Sequence, residues 1–98
     1  MTVTSNENGD SITFFVEGKI DSTTAPDFEN AIVEKALSHN FVVLDFAKVG
    51  YVSSAGFRVL LVLQKNMTKK GGLKILNVSP SIMEVFEMTG FKEIFSFG

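Results

Sequence analysis

Apolar residues recur along this chain in two rhythms, one of period two and one near 3.6, and the switches between them mark the elements. Val3 and the stretch Ile12 to Val16 flank Asn8-Gly9, a dipeptide that tolerates the positive φ angles of a tight turn. An antiparallel hairpin is therefore expected at the start. In its second strand Ile12, Phe14 and Val16 alternate with Thr13, Phe15 and Glu17, and Gly18 is expected to end it. Phe15 breaks the polar row, so both faces of this strand are expected to be covered. Asp21-Ser22-Thr23-Thr24-Ala25-Pro26 reads as a helix start. Short oxygen-bearing side chains accept hydrogen bonds from the first free backbone N–H groups, and proline fits the opening turn. Phe28, Ala31, Ile32, Lys35 and Ala36 follow at helical spacing, and His39-Asn40 closes the segment.

Phe41-Val42-Val43-Leu44-Asp45-Phe46 is short, β-rich and almost continuously apolar, the pattern of a central strand buried on both faces. Ser54 to Thr68 carries Phe57, Val59, Leu60, Leu61, Val62 and Leu63, an apolar surface too broad for a half-solvated helix, so this helix should be the most buried. Lys69-Lys70-Gly71-Gly72 places cations at the negative end of that helix dipole and then glycines that permit a stop. Leu73 to Val78 reads as a strand, and Ser79-Pro80 as cap and first residue of a third helix running to Gly90. Within that helix Met83 and Met88 are expected to fill the core. Ile94, Phe95 and Phe97 form a short last strand, with Phe91, Phe95 and Phe97 sealing one end of the core. The order β-β-α-β-α-β-α-β predicts an α/β domain over residues 1–98, with a mixed, mostly parallel sheet carrying packed helices.

Composition narrows the function. At 98 residues, 45% of them hydrophobic, the chain hides roughly 60–65% of its unfolded surface, enough for a core without metal or disulfide. Eleven acids face nine bases, and Lys69-Lys70 is the only adjacent basic pair, so direct nucleic-acid binding is not expected. The absence of cysteine removes a disulfide framework, a thiolate zinc site and a cysteine nucleophile, and makes a cytoplasmic location the default. Val59 to Leu63 is the longest apolar run, far short of the roughly 20 residues of a membrane span. The first fifteen residues lack Lys and Arg, so no signal peptide is expected.

Right-handed crossovers between parallel strands bring all strand-to-helix loops to one edge of the sheet, where sites of open α/β folds gather. Three loops qualify: Gly18 to Thr24, Ala47 to Ala55, and Asn77 to Ser81. Their polar residues include Asp21, Ser22, Thr23, Thr24, Ser53, Ser54, Ser79 and Ser81. For Ser22, Thr23, Thr24, Ser79 and Ser81, helix capping is the favoured reading. Ser53-Ser54-Ala55-Gly56 differs, because two serines stand where one cap suffices. The spare hydroxyl is a candidate for phosphorylation, since a phosphoryl group there meets unpaired N–H groups and the positive helix end. Ala55 and Gly56 would leave the approach open. On pattern alone, capping with close helix packing remains ahead of modification.

Enzyme readings are weaker. G-x-S-x-G is half present, because Val52 stands two residues before Ser54. The only histidine, His39, follows the first helix, at the opposite end from the three loops, and is expected to be a solvated loop residue. Asp45 sits inside the central strand and is expected to face a strand edge or a neighbouring backbone donor rather than pair with Asp21. No P-loop or G-x-G-x-x-G occurs, so no cofactor or metal is indicated.

Gly18-Lys19-Ile20-Asp21, Val42-Val43-Leu44-Asp45-Phe46 and Tyr51-Val52-Ser53-Ser54-Ala55-Gly56-Phe57-Arg58-Val59-Leu60-Leu61 together resemble the STAS domain of bacterial anti-sigma-factor antagonists. Gly71-Gly72-Leu73, Asn77-Val78-Ser79-Pro80 and Phe86-Glu87-Met88-Thr89-Gly90-Phe91 extend the resemblance over nearly the whole chain. It implies a regulator that is not an enzyme. In that family the unphosphorylated antagonist binds an anti-sigma factor, often one with a kinase-like ATPase fold, and so frees a sigma factor for transcription. That partner phosphorylates the serine before a small-small pair, which ends the interaction, and a metal-dependent serine phosphatase restores it. By position the acceptor is Ser54, and the family's loop aspartate is Asp21. Several members carry aspartate where this chain has Ser53, which leaves Ser53 as a competing acceptor. The implied contact set is Asp21, Ser22, Thr23, Ser53, Ser54, Ala55, Gly56 and Arg58, on a monomer or weak dimer. Two other functions compete. One is an accessory subunit of a lipid or anion transport system that is never phosphorylated; the other is a small hydrolase using Ser54, which lacks a base.

Overall fold

A computed structural model describes all 98 residues. The elements are β1 (Thr2–Asn8), β2 (Ser11–Ile20), α1 (Ala25–Leu37), β3 (Phe41–Val52), α2 (Ser54–Met67), β4 (Gly72–Leu76), α3 (Pro80–Thr89) and β5 (Ser96–Phe97). A single turn of 3₁₀ helix, Phe91–Glu93, precedes β5. The expected order of elements holds. Asn8 pairs with Ser11, so the turn residues are Gly9 and Asp10, one step along from the expected pair. Only Gly9 there has positive φ (61°), the pattern of a type II′ turn.

The sheet order is β1-β2-β3-β4-β5, antiparallel between β1 and β2 and parallel elsewhere. Each parallel crossover steps the same way across the sheet. Right-handed connections therefore lay all three helices on one face. The buried residues of β2 and β4 accordingly fall on alternate positions: Ile12, Phe14 and Val16, then Leu73 and Ile75. The opposite face stays open, which corrects the expectation that β2 and β3 are covered on both sides. On that face Phe15 is 44% exposed and Phe41 50%.

β3 is also twice as long as the apolar run predicted, because it continues through Val52 and absorbs most of the expected second loop. The extension is irregular. Between Phe15↔Asp45 and Glu17↔Lys48, and again between Gly18↔Val49 and Lys19↔Tyr51, β3 carries one more residue than β2. Each extra residue flips the side-chain alternation, so the inward row on β3 reads Val42, Leu44, Phe46, Val49, Val52. The Asp45 carboxylate holds the first bulge by accepting the Ala47 N–H at 2.9 Å, and it accepts the Asn77 side-chain amide at 3.1 Å. The backbone-donor reading of Asp45 is the one realised. β2, likewise, runs two residues past Gly18.

The core is one cluster of 23 buried apolar residues between the sheet and the helices. Among the helices α2 supplies the most, with Phe57, Val59, Leu60, Leu63 and Met67, as its breadth of apolar positions predicts. Phe86 is fully buried and makes edge contacts with Phe57, Phe95 and Phe97 at ring-centroid distances of 4.8, 5.4 and 5.0 Å. Met83 packs against the core, but Met88 is 79% exposed and does not fill it. It lies on the outward side of α3, whose buried residues are Ile82 and Phe86.

His39 is not solvated as expected. Its side chain is only 10% exposed, with Nε2 3.2 Å from Glu7 of β1 and Nδ1 2.7 Å from the Lys35 carbonyl. Lys70 reaches back to the Leu37 and His39 carbonyls, so it closes the end of α1 rather than that of α2. No helix is long and apolar enough to cross a membrane.

Two substitutions test this architecture by urea denaturation. Phe86→Ala removes the aromatic hub and is expected to destabilise the fold by about 3–5 kcal/mol. Asp45→Ala releases the bulge and is expected to lose about 1–2 kcal/mol. A neutral Asp45→Ala result would show that the bulge holds without its side-chain clamp.

Candidate functional site

The carboxyl ends of β2, β3 and β4 meet the starts of α1, α2 and α3 at one rim of the sheet, where most of the sequence-selected residues lie. At the first junction, Asp21-Ser22-Thr23-Thr24 builds a closed turn. Asp21 Oδ1 accepts the backbone N–H groups of Thr23 at 2.9 Å and Thr24 at 3.0 Å. Thr24 Oγ1 donates to the Lys19 carbonyl at 2.8 Å and accepts from the Asp21 N–H at 2.9 Å. Thr24 occupies the cap position of α1 but makes no side-chain cap bond, which corrects the capping reading of Ser22, Thr23 and Thr24; the Asp21 carboxylate instead binds the N–H groups of the two residues before the helix. The Thr24 backbone N–H chiefly holds the Asp21 carboxyl below its ordinary value of 3.8; Thr23, the Thr24 hydroxyl and Lys19 add to this against a smaller opposing effect of burial. Ser22 and Thr23 are exposed beside it.

The second junction is a single residue long. β3 ends at Val52 and α2 begins at Ser54, so only Ser53 lies between them. Ser53 is extended (φ −83°, ψ 174°) and its hydroxyl accepts the Gly56 N–H at 3.3 Å, which makes it the cap of α2. Its own N–H donates to the Ile20 carbonyl at 2.7 Å, joining the ends of β3 and β2. Ser54, the first helical residue, is exposed, and its hydroxyl has no partner in the chain. The two serines are thus physically distinct: one is occupied and half-buried, the other free and outward.

Gly56 is buried, and this corrects the idea that it keeps an approach open. A Cβ there would stand 2.7 Å from Ile20 Cγ2, 2.9 Å from Val52 Cγ1 and 3.2 Å from the Ile20 carbonyl oxygen. Its smallness lets α2 start directly against the two strand ends, and it presents nothing to a partner. Ala55 is half-buried and Arg58 is exposed. Arg58 joins neither of the two ion pairs, His39–Glu7 and Lys92–Glu87.

Two grooves flank the start of α2. One, of about 290 Å³ between α1 and α2, is lined by Ser22, Glu29, Ala55, Arg58 and Val62 among others. The other, of about 600 Å³ between α2 and α3, is more apolar. Ser53, Ser54 and Arg58 edge it, and Tyr51, Leu61, Val85 and Phe91 form much of its wall. Those four were missed from sequence, although the surplus of apolar positions on α2 was a signal for Leu61. At the third junction Ser79 caps α3 by accepting the Ile82 N–H at 3.4 Å, as expected. Asn77 precedes it with a left-handed φ of 57°. Nowhere do three His, Asp or Glu side chains gather as metal ligands would.

A small α/β domain with a one-sided sheet, whose rim displays a free serine at the start of its most buried helix, defines a class of protein. The STAS domain model matches residues 2–98, and the chain belongs to that family. Among named relatives, BtrV of Bordetella bronchiseptica, provisionally described as an anti-sigma factor antagonist, is 34% identical over 82 residues, covering 82% of this chain and 71% of that protein. The anti-sigma-B factor antagonist of Bacillus subtilis is 30% identical over 89 residues, covering 90% of this chain and 82% of its own. Among solved structures, an anti-sigma factor antagonist from Mycobacterium paratuberculosis superposes with a TM-score of 0.88 at 24% identity, covering 98% of this chain and 83% of that one. That last likeness establishes the fold.

Two outcomes follow from this geometry. Gly56→Ala is expected to destabilise the protein by about 1–3 kcal/mol, because one of its clashes is with backbone that cannot rotate away; urea denaturation measures it. Because folding lowers the Asp21 pKa, its stabilising effect is complete well above 3.8 and disappears as pH falls from 3.8 through the lowered folded value. Melting temperatures between pH 6 and 2 should therefore fall more steeply for the native chain than for Asp21→Asn, and parallel curves would remove Asp21 as a contributor.

Proposed function

We propose that this chain is an anti-sigma-factor antagonist, a regulator and not an enzyme, switched by phosphorylation of Ser54. Unphosphorylated, it binds an anti-sigma factor that has a kinase-like ATPase fold and so releases a sigma factor for transcription. The same partner transfers a phosphoryl group to Ser54 and dissociates, and a serine phosphatase resets the protein. Ser22, Thr23, Ser54, Ala55 and Arg58 supply the contact surface, with Asp21 and Ser53 holding the loops beneath it.

One observation carries this reading: the hydroxyl of Ser54 is exposed and unbonded, while that of Ser53 is committed to capping α2. A phosphoryl group on Ser54 displaces no internal hydrogen bond. It adds about −1.5 to −2 charges to a protein whose formal charge is −2, at a single point on the rim. Family membership and the anti-sigma-factor antagonists among the relatives support the same partner class.

The test uses the native kinase-fold partner. Ser54→Ala is expected to keep its affinity, and Ser54→Asp to weaken binding at least tenfold, about 1.4 kcal/mol, by titration calorimetry. Incubation with ATP and that partner should phosphorylate the native chain and Ser53→Ala, but not Ser54→Ala, as read by mass spectrometry. Equal affinities for both Ser54 variants would defeat the switch. Stable partner binding with no phosphate uptake would point instead to an accessory subunit of a transport system.

A further inference from the structure

We propose that Arg58 is the internal receptor for the phosphoryl group on Ser54, so that modification closes a charge clamp within α2. The inference rests on the reading of Ser54 as the phosphorylated residue. Ser54 and Arg58 are four residues apart on one helix, which puts their Cβ atoms about 6 Å from each other on the same side. Helical side chains lean toward the N-terminus, so an arginine at position 58 has the reach to bring its guanidinium back over Ser54. Both residues edge the groove between α2 and α3, and both are exposed. Arg58 forms no ion pair in the unmodified protein, so nothing must be broken for it to turn to a new anion. Arginine also suits the task chemically, since its planar fork meets two phosphate oxygens at once.

In the modification itself Ser54 Oγ attacks the γ-phosphorus of a nucleoside triphosphate. The new Oγ–P bond forms, the bond from phosphorus to the nucleoside-diphosphate oxygen breaks, and the hydroxyl proton leaves to solvent or to a base of the kinase. The chain gains a dianion beside Arg58. The consequence is twofold: negative charge arrives at the rim, and the free cation between the two grooves is withdrawn from use by any other protein. A partner carboxylate that engaged Arg58 in the unmodified state would lose its counter-ion at the moment a phosphate appears next to it.

The experiment needs no partner. Full-length protein carrying phosphoserine at position 54, installed during translation, is titrated by ³¹P NMR as the native sequence, as Arg58→Gln and as Arg58→Lys. Any effect of the helix end on the phosphate is common to all three and cancels in the comparison. The second phosphate ionisation is expected at least about 0.3 pH units lower with Arg58 than with Gln, and Lys should fall between them. Coincident titrations of the native and Gln proteins would overturn the proposal. Circular dichroism of each variant confirms that α2 is intact, as expected for a change at an exposed position. Because the phosphate is placed synthetically, this result does not depend on which serine the kinase selects. A kinase that modified Ser53 would refute the reading of Ser54 and leave the clamp measurement standing.

Discussion

The handedness of the strand–helix–strand crossover is the constraint on which the rest of this structure depends. From β2 onward every parallel strand is added on the same side of the one before, giving the order β1-β2-β3-β4-β5. With each crossover right-handed, the helices have only one face of the sheet available to them. All three strand-to-helix junctions then lie at one rim, side by side. The same winding leaves the sheet without a point where strand order reverses, the place where open α/β sheets form a binding crevice. A domain so wound presents a surface of helix starts in place of a deep pocket, which suits recognition of another protein better than enclosure of a small substrate.

Within that rim the two serines of Ser53-Ser54 do opposite things because the backbone passes through them at a sharp change of conformation. The extended Ser53 turns its hydroxyl back to the Gly56 N–H, and the helical Ser54 turns its own away. The one-residue junction depends on Gly56, since any side chain there would push α2 off the Ile20 and Val52 ends of the strands. The rigidity of the site thus comes from buried contacts, and its chemistry from an exposed atom that takes no part in them. On the proposed reading this separation is what allows a large local change of charge with no refolding.

Much of this was legible in the amino-acid sequence. Periodicity located every helix, and the Ser79-Pro80 and Asp21 to Pro26 signals placed two of their starts to within a residue or a few. The sequence logic that one serine is spare at the start of α2 also corresponds to the geometry seen. What could not be read was the second face of the sheet. Val43, Phe15 and Phe41 are apolar and look buried in a linear pattern, yet they face the side without helices, because winding direction is a property of the whole sheet and not of any strand. Likewise, bulges defeated the boundary of β3. After Phe46 its inward positions move from even to odd numbers at Val49 and back at Val52, so a period-two search loses the strand there. His39 was misplaced for a third reason: its partner Glu7 is 32 positions earlier, and only the pairing of β1 with β2 beside the end of α1 brings the two together.

The exposed row on the open face bears on how the rim is held. Asp45 lies on that face, yet its carboxylate binds the Ala47 N–H of the bulge and the amide of Asn77. The first contact sets where β3 resumes its alternation toward Val49, before a second extra residue shifts it again ahead of Val52, Ser53 and α2. The second fixes the strained turn before Ser79 and α3. A single carboxylate on the far side of the sheet therefore touches the strand end that leads to α2 and the turn that leads to α3, the two walls of the groove that Ser54 edges. The two bulges that obscured β3 in the sequence are, in the folded chain, what bring the end of β3 directly under the start of α2.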